Sequence, residues 1–185
     1  MKKTVWVIDD DDSIRWVLDK ALGQAGIPIK AFDSADEAMH LFPNELPLTV
    51  LSDIRMPGSS GLDFLQKIQA EFPQIPVIIM TAHSDLDSAV NSFELGAYEY
   101  LAKPFDIDEV VNVVQRANSS RSESDPEITN QITPSSEILG SAPAMQEVFK
   151  AIGRLSSSSF TVLINGESGS GNELVAFAVE SVVAW

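Results

Sequence analysis

The sequence has no cysteine among its 185 residues, only two histidines, and fewer than half as many basic as acidic side chains. Without cysteine, neither a disulfide framework nor a thiolate metal site can form. Residues 1–118 hold 9 basic and 19 acidic side chains, and residues 119–185 hold 3 and 8. Neither half therefore carries the basic surface of a nucleic-acid-binding domain, and we expect no DNA binding by this chain.

Long apolar runs are also missing. No stretch approaches the roughly 18 apolar residues of a membrane-spanning helix. The first four residues lead into a short strand pattern that ends in four aspartates, Asp9 to Asp12. A secretory signal peptide has a longer apolar region followed by a small-residue cleavage site. We therefore expect a cytoplasmic protein with no membrane association.

Strand and helix patterns alternate through residues 1–118, which predicts a parallel sheet covered by helices on both faces. The predicted strands are residues 4–9, 27–32, 48–52, 77–81 and 98–101. The predicted helices begin near Ser13, Ser34, Gly61, Ser84 and Ile107. Five strands and five helices of this length form a complete flavodoxin-like, doubly wound unit.

Caps and packing residues refine this prediction. Ser34 with Glu37 three residues later has the pattern of a capping box for helix 2. Asp11 and Asp12 are expected to cap helix 1. Trp6 and Trp16 are expected to be packing residues.

Composition changes after residue 118. Residues 119–137 are rich in Ser, Thr, Asn, Glu and Pro and predict a linker. In residues 138–185, Met145 to Ile152 predict a helix, Phe160 to Ile164 a strand, and Leu174 to Val183 the start of another helix. We expect three parts: a domain at 1–118, a linker at 119–137, and an incomplete P-loop α/β fragment at 138–185.

Polar side chains stand where four of the predicted strands end. Asp9 and Asp10 follow the first strand, Asp53 the third and Lys103 the fifth, while Thr81 ends the fourth. Ligands of open parallel sheets bind outside the carboxyl ends of the strands. This set favours a site that holds a divalent cation beside an aspartate that accepts a phosphoryl group.

Each residue type suits that chemistry. Phosphoryl transfer depends on positioning and charge neutralisation, and Mg²⁺ prefers oxygen ligands. Asp10 and Asp53 can supply carboxylates, and Asp9 can hold a coordinated water. Lys103 can pair with Asp53 or with the phosphoryl group, to which Thr81 can donate a hydrogen bond. Crowded carboxylates repel one another, so a cation is needed to keep them ionised together.

These residues lie in recognisable motifs. With the expected spacing, they resemble the receiver domain of bacterial two-component response regulators over residues 1–118. Longer stretches, notably Ser13 to Leu18 and Pro76 to Asp87, resemble the NtrC-like, nitrogen-regulating members. The motifs are Val7-Ile8-Asp9-Asp10, Asp53-Ile54-Arg55-Met56-Pro57-Gly58, Thr81-Ala82 and Lys103-Pro104-Phe105.

The resemblance implies a CheY-like fold and a role for each motif residue. Asp53 would be the phosphoacceptor, Asp9 and Asp10 the acid pair for Mg²⁺, and the Arg55 carbonyl a further metal ligand. Thr81 and Tyr100 would be the switch hydroxyl and switch aromatic, and Lys103 would contact the phosphoryl group. The Lys103–Pro104 peptide bond is expected to be cis. A sensor histidine kinase would be the phosphodonor, and a homodimer through the helix 4–strand 5–helix 5 face is a further hypothesis.

A second motif occurs near the end of the chain, after a predicted strand and at the start of a predicted helix. It resembles the phosphate-binding P-loop of the AAA+ ATPase domain in NtrC-type activators. Asn172 stands where that family has a lysine, and an amide supplies no charge to the phosphates. We therefore expect no ATP hydrolysis and at best negligible ATP binding. The motif residues are Gly166, Glu167, Ser168, Gly169, Ser170, Gly171, Asn172 and Glu173.

The sequence thus predicts a response regulator that takes a phosphoryl group on Asp53 to control transcription, with a truncated output domain and no enzymatic turnover of its own. Two alternatives stay open. One is a magnesium-dependent phosphohydrolase with an aspartyl intermediate, although such enzymes place the nucleophile after the first strand. The other is a nucleotide-binding module built on Gly166 to Gly171.

Overall fold

The computed structural model describes residues 4–42, 44–82, 86–120, 142–156, 158, 161–167 and 169–182. These residues fall into two compact units. The first contains those among residues 1–82 and 95–125, and the second those among 83–94 and 126–185. Among the residues described, no helix is both long enough and apolar enough to cross a bilayer.

The first unit contains a five-stranded parallel sheet with the order β2-β1-β3-β4-β5. Every neighbouring pair is parallel, and the register places Ile8 beside Ser52 and Asp53 beside Met80. The predicted doubly wound fold is therefore confirmed. The strands are β1 (Val5–Ile8), β2 (Ile29–Phe32), β3 (Val50–Asp53), β4 (Val77–Thr81) and β5 (Glu99–Ala102).

Helices of the first unit cover the sheet. Side chains of successive strand residues point to opposite faces, so β1 directs Val5 and Val7 to one layer and Trp6 to the other. Val5 and Val7 share a buried cluster with Leu18 and with Val110. These helices are α1 (Asp12–Gln24), α2 (Ala35–Leu41), α3 (Gly61–Glu71) and α5 (Ile107–Ser120).

An aromatic cluster fills the layer on the opposite side of β1. Trp6 is fully buried, and its ring lies 4.9 Å from that of Phe32 and 4.8 Å from that of Phe42. The expectation that Trp6 packs in the core is confirmed. The same expectation for Trp16 is wrong, since 63% of it is exposed on the outer side of α1.

Helix starts follow local side-chain chemistry. The Asp11 carboxylate accepts a hydrogen bond of 2.7 Å from the Ser13 N–H, which confirms Asp11 as the cap of α1. Ser34 caps α2 by accepting from the Glu37 N–H at 3.4 Å, as predicted. A full capping box occurs instead at α3, between Ser60 and Asp63. The helix start predicted near Ser84 lies outside the described residues.

The described residues of the second unit form three helices: α4 (Leu86–Glu94), α6 (Pro143–Ser156) and α7 (Asn172–Val182). Helix α6 contacts both others, and it confirms the helix predicted around Met145 to Ile152. Gly153 lies so close to α4 that a Cβ there would be 2.6 Å from the Phe93 ring.

The strand predicted from Phe160 to Ile164 is wrong for the four of these residues that the structure describes. Residues 161–164 are not part of any strand. A strand is stable only when it is hydrogen-bonded to a neighbouring strand. The described part of residues 142–182 contains no strand with which this segment could pair. Leu163 is accordingly 91% exposed.

Candidate functional site

Asp9 is a buried carboxylate directly after β1. Its N–H donates to the Phe32 carbonyl at 3.2 Å, which continues the β1–β2 ladder, and the residue is fully buried. Its Oδ1 accepts a 3.0 Å hydrogen bond from the Asp11 N–H. Burial raises the pKa of Asp9, and the hydrogen bond from Lys103 offsets part of that rise.

Lys103 joins two strand ends. Its Nζ donates to Asp9 Oδ2 at 2.6 Å and to Asp53 Oδ2 at 2.8 Å. Burial by itself would lower the pKa of Lys103. The hydrogen bonds that Lys103 donates to Asp53 and Asp9 outweigh burial and raise that pKa above its ordinary value, so the lysine is charged. Lys103 is 50 positions from Asp53 and 94 positions from Asp9 in the sequence, and the three side chains form one ionic cluster.

Three carboxylates converge beside this lysine. Asp9, Asp10 and Asp53 each offer an oxygen, and these oxygens all lie within 4.8 Å of one another. Asp10 is exposed to solvent, whereas Asp53 is only 8% exposed. Oxygen ligands that close together match the preference of a small divalent cation.

The other residues predicted from sequence lie at the same carboxyl edge of the sheet or close to it. The Arg55 N–H points to Asp53 Oδ1 at 3.4 Å. Thr81 ends β4 with its side chain almost fully buried, and its carbonyl accepts from the Lys103 N–H at 2.7 Å. Tyr100 is fully buried within β5, and the Lys103–Pro104 peptide bond is cis.

The phosphate-loop-like turn belongs to the second unit. Gly169 and Gly171 have positive φ values of 85° and 86°. Ser170 Oγ donates to Asn172 Oδ1 at 3.0 Å, so the amide that replaces the family's lysine folds back onto its own turn. Glu173 lies in the first turn of α7, and Ser168 lies outside the described residues. None of the described residues of this turn belongs to the carboxylate cluster.

Sequence reasoning overlooked Arg15. Its guanidinium donates to the Asp9 carbonyl and pairs with Asp12 three residues earlier on α1. The i, i+3 spacing of an acid and an arginine on a helix is a visible signal for the Asp12 pair. The contact with the Asp9 carbonyl depends on the turn before α1 and leaves no comparable signal.

Gly61 lies against the backbone of the predicted phosphoacceptor. A Cβ at Gly61 would lie 1.9 Å from the Asp53 carbonyl oxygen, which cannot move without distorting β3. We expect Gly61→Ala to lower the free energy of unfolding by about 2–3 kcal/mol, as overpacking does. Urea titration followed by circular dichroism would measure this loss.

Gly23→Ala is the matched control, since a Cβ at this glycine of α1 meets nothing within 4 Å. We expect that substitution to raise stability by about 0.5–1 kcal/mol, because alanine is the better helix former. Equal effects of the two substitutions would contradict the close approach at Gly61.

Two known families match separate parts of this chain. Residues 5–115 match the family described as the response regulator receiver domain. Residues 138–184 match the family described as the sigma-54 interaction domain. The first match covers more than half of the chain.

Individual relatives agree. The DNA-binding transcriptional regulator NtrC of Escherichia coli (strain K12) is 54% identical over 176 residues, which cover 95% of this chain and 38% of that protein. The apo receiver domain of nitrogen regulatory protein C is 52% identical, with a TM-score of 0.60 over 65% of this chain and 98% of that one. Its BeF3-activated form is also 52% identical, with a TM-score of 0.58 over 66% of this chain and 100% of that one.

The chain thus spans less than two fifths of the E. coli relative's length. The resemblance to NtrC-like response regulators predicted from the motifs is confirmed by both the sequence relatives and the solved structures. On the match over residues 5–115, the chain belongs to the response regulator receiver domain family.

Proposed function

We propose that Asp53 accepts a phosphoryl group from a sensor histidine kinase and that this event controls transcription through the protein's output region. The observation that carries the proposal is the ionic cluster at the sheet edge. One lysine nitrogen lies within 2.8 Å of carboxylates from two different strand ends, with the third carboxylate in reach of both. Such a concentration of charge at the carboxyl ends of parallel strands suits phosphoryl transfer.

The transfer uses residues of this chain in defined ways. A carboxylate oxygen of Asp53 attacks the phosphorus, the P–N bond of the donor phosphohistidine breaks, and the histidine nitrogen keeps the bonding electron pair. The product is an acyl phosphate on Asp53. Lys103, already hydrogen-bonded to Asp53 Oδ2, turns its ammonium toward the new phosphoryl oxygens.

Magnesium fits the oxygen atoms that the site offers. Asp9, Asp10 and Asp53 would hold the ion, because their carboxylate oxygens already converge within 4.8 Å. The Arg55 carbonyl would be a further ligand. The bound ion would supply positive charge beside the phosphoryl oxygens. Lys103 balances part of the carboxylate charge by itself, so the buried acids are not left uncompensated.

Signal output would depend on Thr81 and Tyr100. Thr81 stands at the end of β4, where its hydroxyl can bond to a phosphoryl group on Asp53. Tyr100 is fully buried on the neighbouring strand. Phosphorylation would shift the population between two arrangements of these side chains, as a ligand with unequal affinity for two states does.

Intact-mass spectrometry tests the proposal. The protein is incubated with Mg²⁺ and acetyl phosphate, beside an Asp53→Asn variant and a sample treated with EDTA. We expect one phosphoryl group on the parent protein and none on the variant or the EDTA sample. Steady release of phosphate without an adduct would support the phosphohydrolase instead, and an adduct on the Asn variant would move the acceptor elsewhere.

Domain boundaries and partners extend the proposal. We propose a receiver domain at residues 1–118, a linker at 119–137 and part of an AAA+ domain at 138–185. The last part is proposed not to hydrolyse ATP, because Asn172 provides no cation for the phosphates and its amide oxygen accepts from Ser170. Release of phosphate from ATP would contradict this, and heat of ATP binding in a calorimetric titration would contradict the expectation of negligible binding. The lack of DNA binding, the homodimer through the helix 4–strand 5–helix 5 face and the cytoplasmic location stay predictions.

A further inference from the structure

The loop between β3 and α3, residues 54–60, is held by one hydrogen bond at its start and by another that joins its two ends. At its start, the Arg55 N–H points to Asp53 Oδ1 at 3.4 Å. At its end, the Gly61 N–H donates to the Ile54 carbonyl at 2.9 Å, which closes the loop on itself. The position of this loop therefore bears directly on the phosphoacceptor carboxylate.

A third attachment comes from helix α2. Ser59 Oγ donates to Asp36 Oδ1 at 2.6 Å, and the Ser59 N–H donates to Asp36 Oδ2 at 3.4 Å. Both oxygens of one carboxylate thus hold one loop residue. The two residues are 23 positions apart, so this link is tertiary and does not arise from local turn geometry.

Backbone shape at Gly58 fits the same contact. Gly58 has φ of +87°, and a Cβ there would lie 2.7 Å from Asp36 Oδ2. A side chain at position 58 would therefore both strain the backbone and push the Asp36 carboxylate away. The side-chain and backbone hydrogen bonds from Ser59 lower the pKa of Asp36, so the carboxylate is ionised and accepting at neutral pH.

We propose that Asp36 is a positioning residue for the phosphorylation site, acting through Ser59 to fix the loop that presents Arg55 to Asp53 and to the cation. This inference rests on the proposed function. Asp36 touches neither the carboxylate cluster nor the phosphoryl group; it sets the place of the Arg55 N–H and carbonyl. Supporting contacts around metal ligands change metal affinity when they are removed, which gives the inference a direct readout.

The experiment compares Mg²⁺ binding by calorimetry among single and double variants of the full chain. We expect Asp36→Ala and Ser59→Ala each to weaken Mg²⁺ binding about tenfold, the low end of the range for supporting contacts of metal sites, because this contact is exposed and acts through the loop. The double variant should lose no more than either single variant, because both remove the same link. Asp36→Asn keeps an acceptor for Ser59 and should stay within about twofold of the parent protein.

Glu37→Ala is the matched control for charge. Glu37 is the next residue of the same helical turn, is exposed, and carries the same charge. Equal weakening by Asp36→Ala and Glu37→Ala, with no effect of Ser59→Ala, would show that Asp36 acts only through its charge and would overturn the inference. Unchanged Mg²⁺ affinity in folded Asp36→Ala and Ser59→Ala proteins would overturn it as well.

Hydrogen exchange of residues 54–60 without Mg²⁺ separates this inference from the proposed function. We expect faster exchange in Asp36→Ala and Ser59→Ala than in the parent and Glu37→Ala proteins, since a released loop opens more often. Exchange at the parent rate would overturn the inference whatever the metal does. If the parent protein binds no Mg²⁺ at all, the proposed function fails, and the exchange rates still report whether Asp36 holds the loop.

Discussion

A Lys103→Met substitution is expected to be among the most destabilising changes in this protein when Mg²⁺ is absent. Lys103 is the cation that joins Asp9 and Asp53, whose side chains are 0% and 11% exposed. Methionine keeps the apolar stem of the side chain and removes only the charge. Removing one partner of a buried ion pair costs roughly 3 kcal/mol or more, because the remaining charge has no compensation.

Thermal unfolding with EDTA and with excess Mg²⁺ would measure this effect. In EDTA the midpoint should fall by more than about 10 °C, given the usual relation between free energy and midpoint for a domain of this size. Magnesium should restore more stability to the variant than to the parent protein, because the ion then replaces the missing lysine charge and binding to the folded state adds stability.

Lys20→Met provides the comparison for that experiment. Lys20 lies on α1 with 57% of its side chain exposed and a 3.4 Å contact with Asp19. Exposed pairs of this kind contribute about 0–1 kcal/mol, so the control midpoint should hardly move. A Lys103 variant as stable in EDTA as the Lys20 variant would show that the ionic cluster does not support the folded state.

An Asp9→Asn substitution is expected to separate metal binding from folding. Burial raises the pKa of Asp9, so the charged form is the costly one in the fold, and Lys103 keeps Asp53 as a partner when Asp9 is neutralised. A neutral amide of the same shape should therefore cost little stability. Metal binding should change far more. Two opposite unit charges about 4 Å apart attract each other by about 4 kcal/mol at an effective dielectric constant near 20. Losing half of that attraction between Asp9 and the ion would weaken Mg²⁺ binding about thirtyfold or more.

Calorimetric Mg²⁺ titration beside a melting curve tests this separation. Asp12→Asn is the matched control, because it removes the same charge from the same acidic run at a side chain that is 93% exposed. We expect that control to weaken Mg²⁺ binding less than about threefold, as screened surface charges do. Similar losses for the two variants would mean that the acidic run attracts the ion only by its total charge, and not through Asp9.

The main fold and the position of the site could be predicted from sequence for a physical reason. Parallel strands bring their carboxyl ends to one edge, so residues directly after apolar runs must meet there. Asp9, Asp53 and Lys103 each follow such a run and do converge. Capping by Asp11 was predictable for a similar reason, since it depends on residues close together in sequence.

Contacts between distant polar residues left no such pattern. The Ser59–Asp36 hydrogen bond needs the placement of α2 beside a loop, which no periodicity encodes.

The exposure of Trp16 depends on which side of α1 packs, and a tryptophan suits either side. The strand predicted at residues 160–164 has the right composition, but a strand also needs a partner, and composition does not supply one.

The span of the Lys103 bridge has a consequence for the timing of biosynthesis. Asp9 and Lys103 are 94 residues apart, and Lys103 follows the last strand of the sheet. On a translating ribosome, the aspartates therefore emerge well before the lysine that pairs with them. A nascent receiver cannot hold its complete charge cluster until β5 has left the exit tunnel and joined the sheet. The proposed uptake of a phosphoryl group would in this way be confined to chains in which β5 has already joined the sheet.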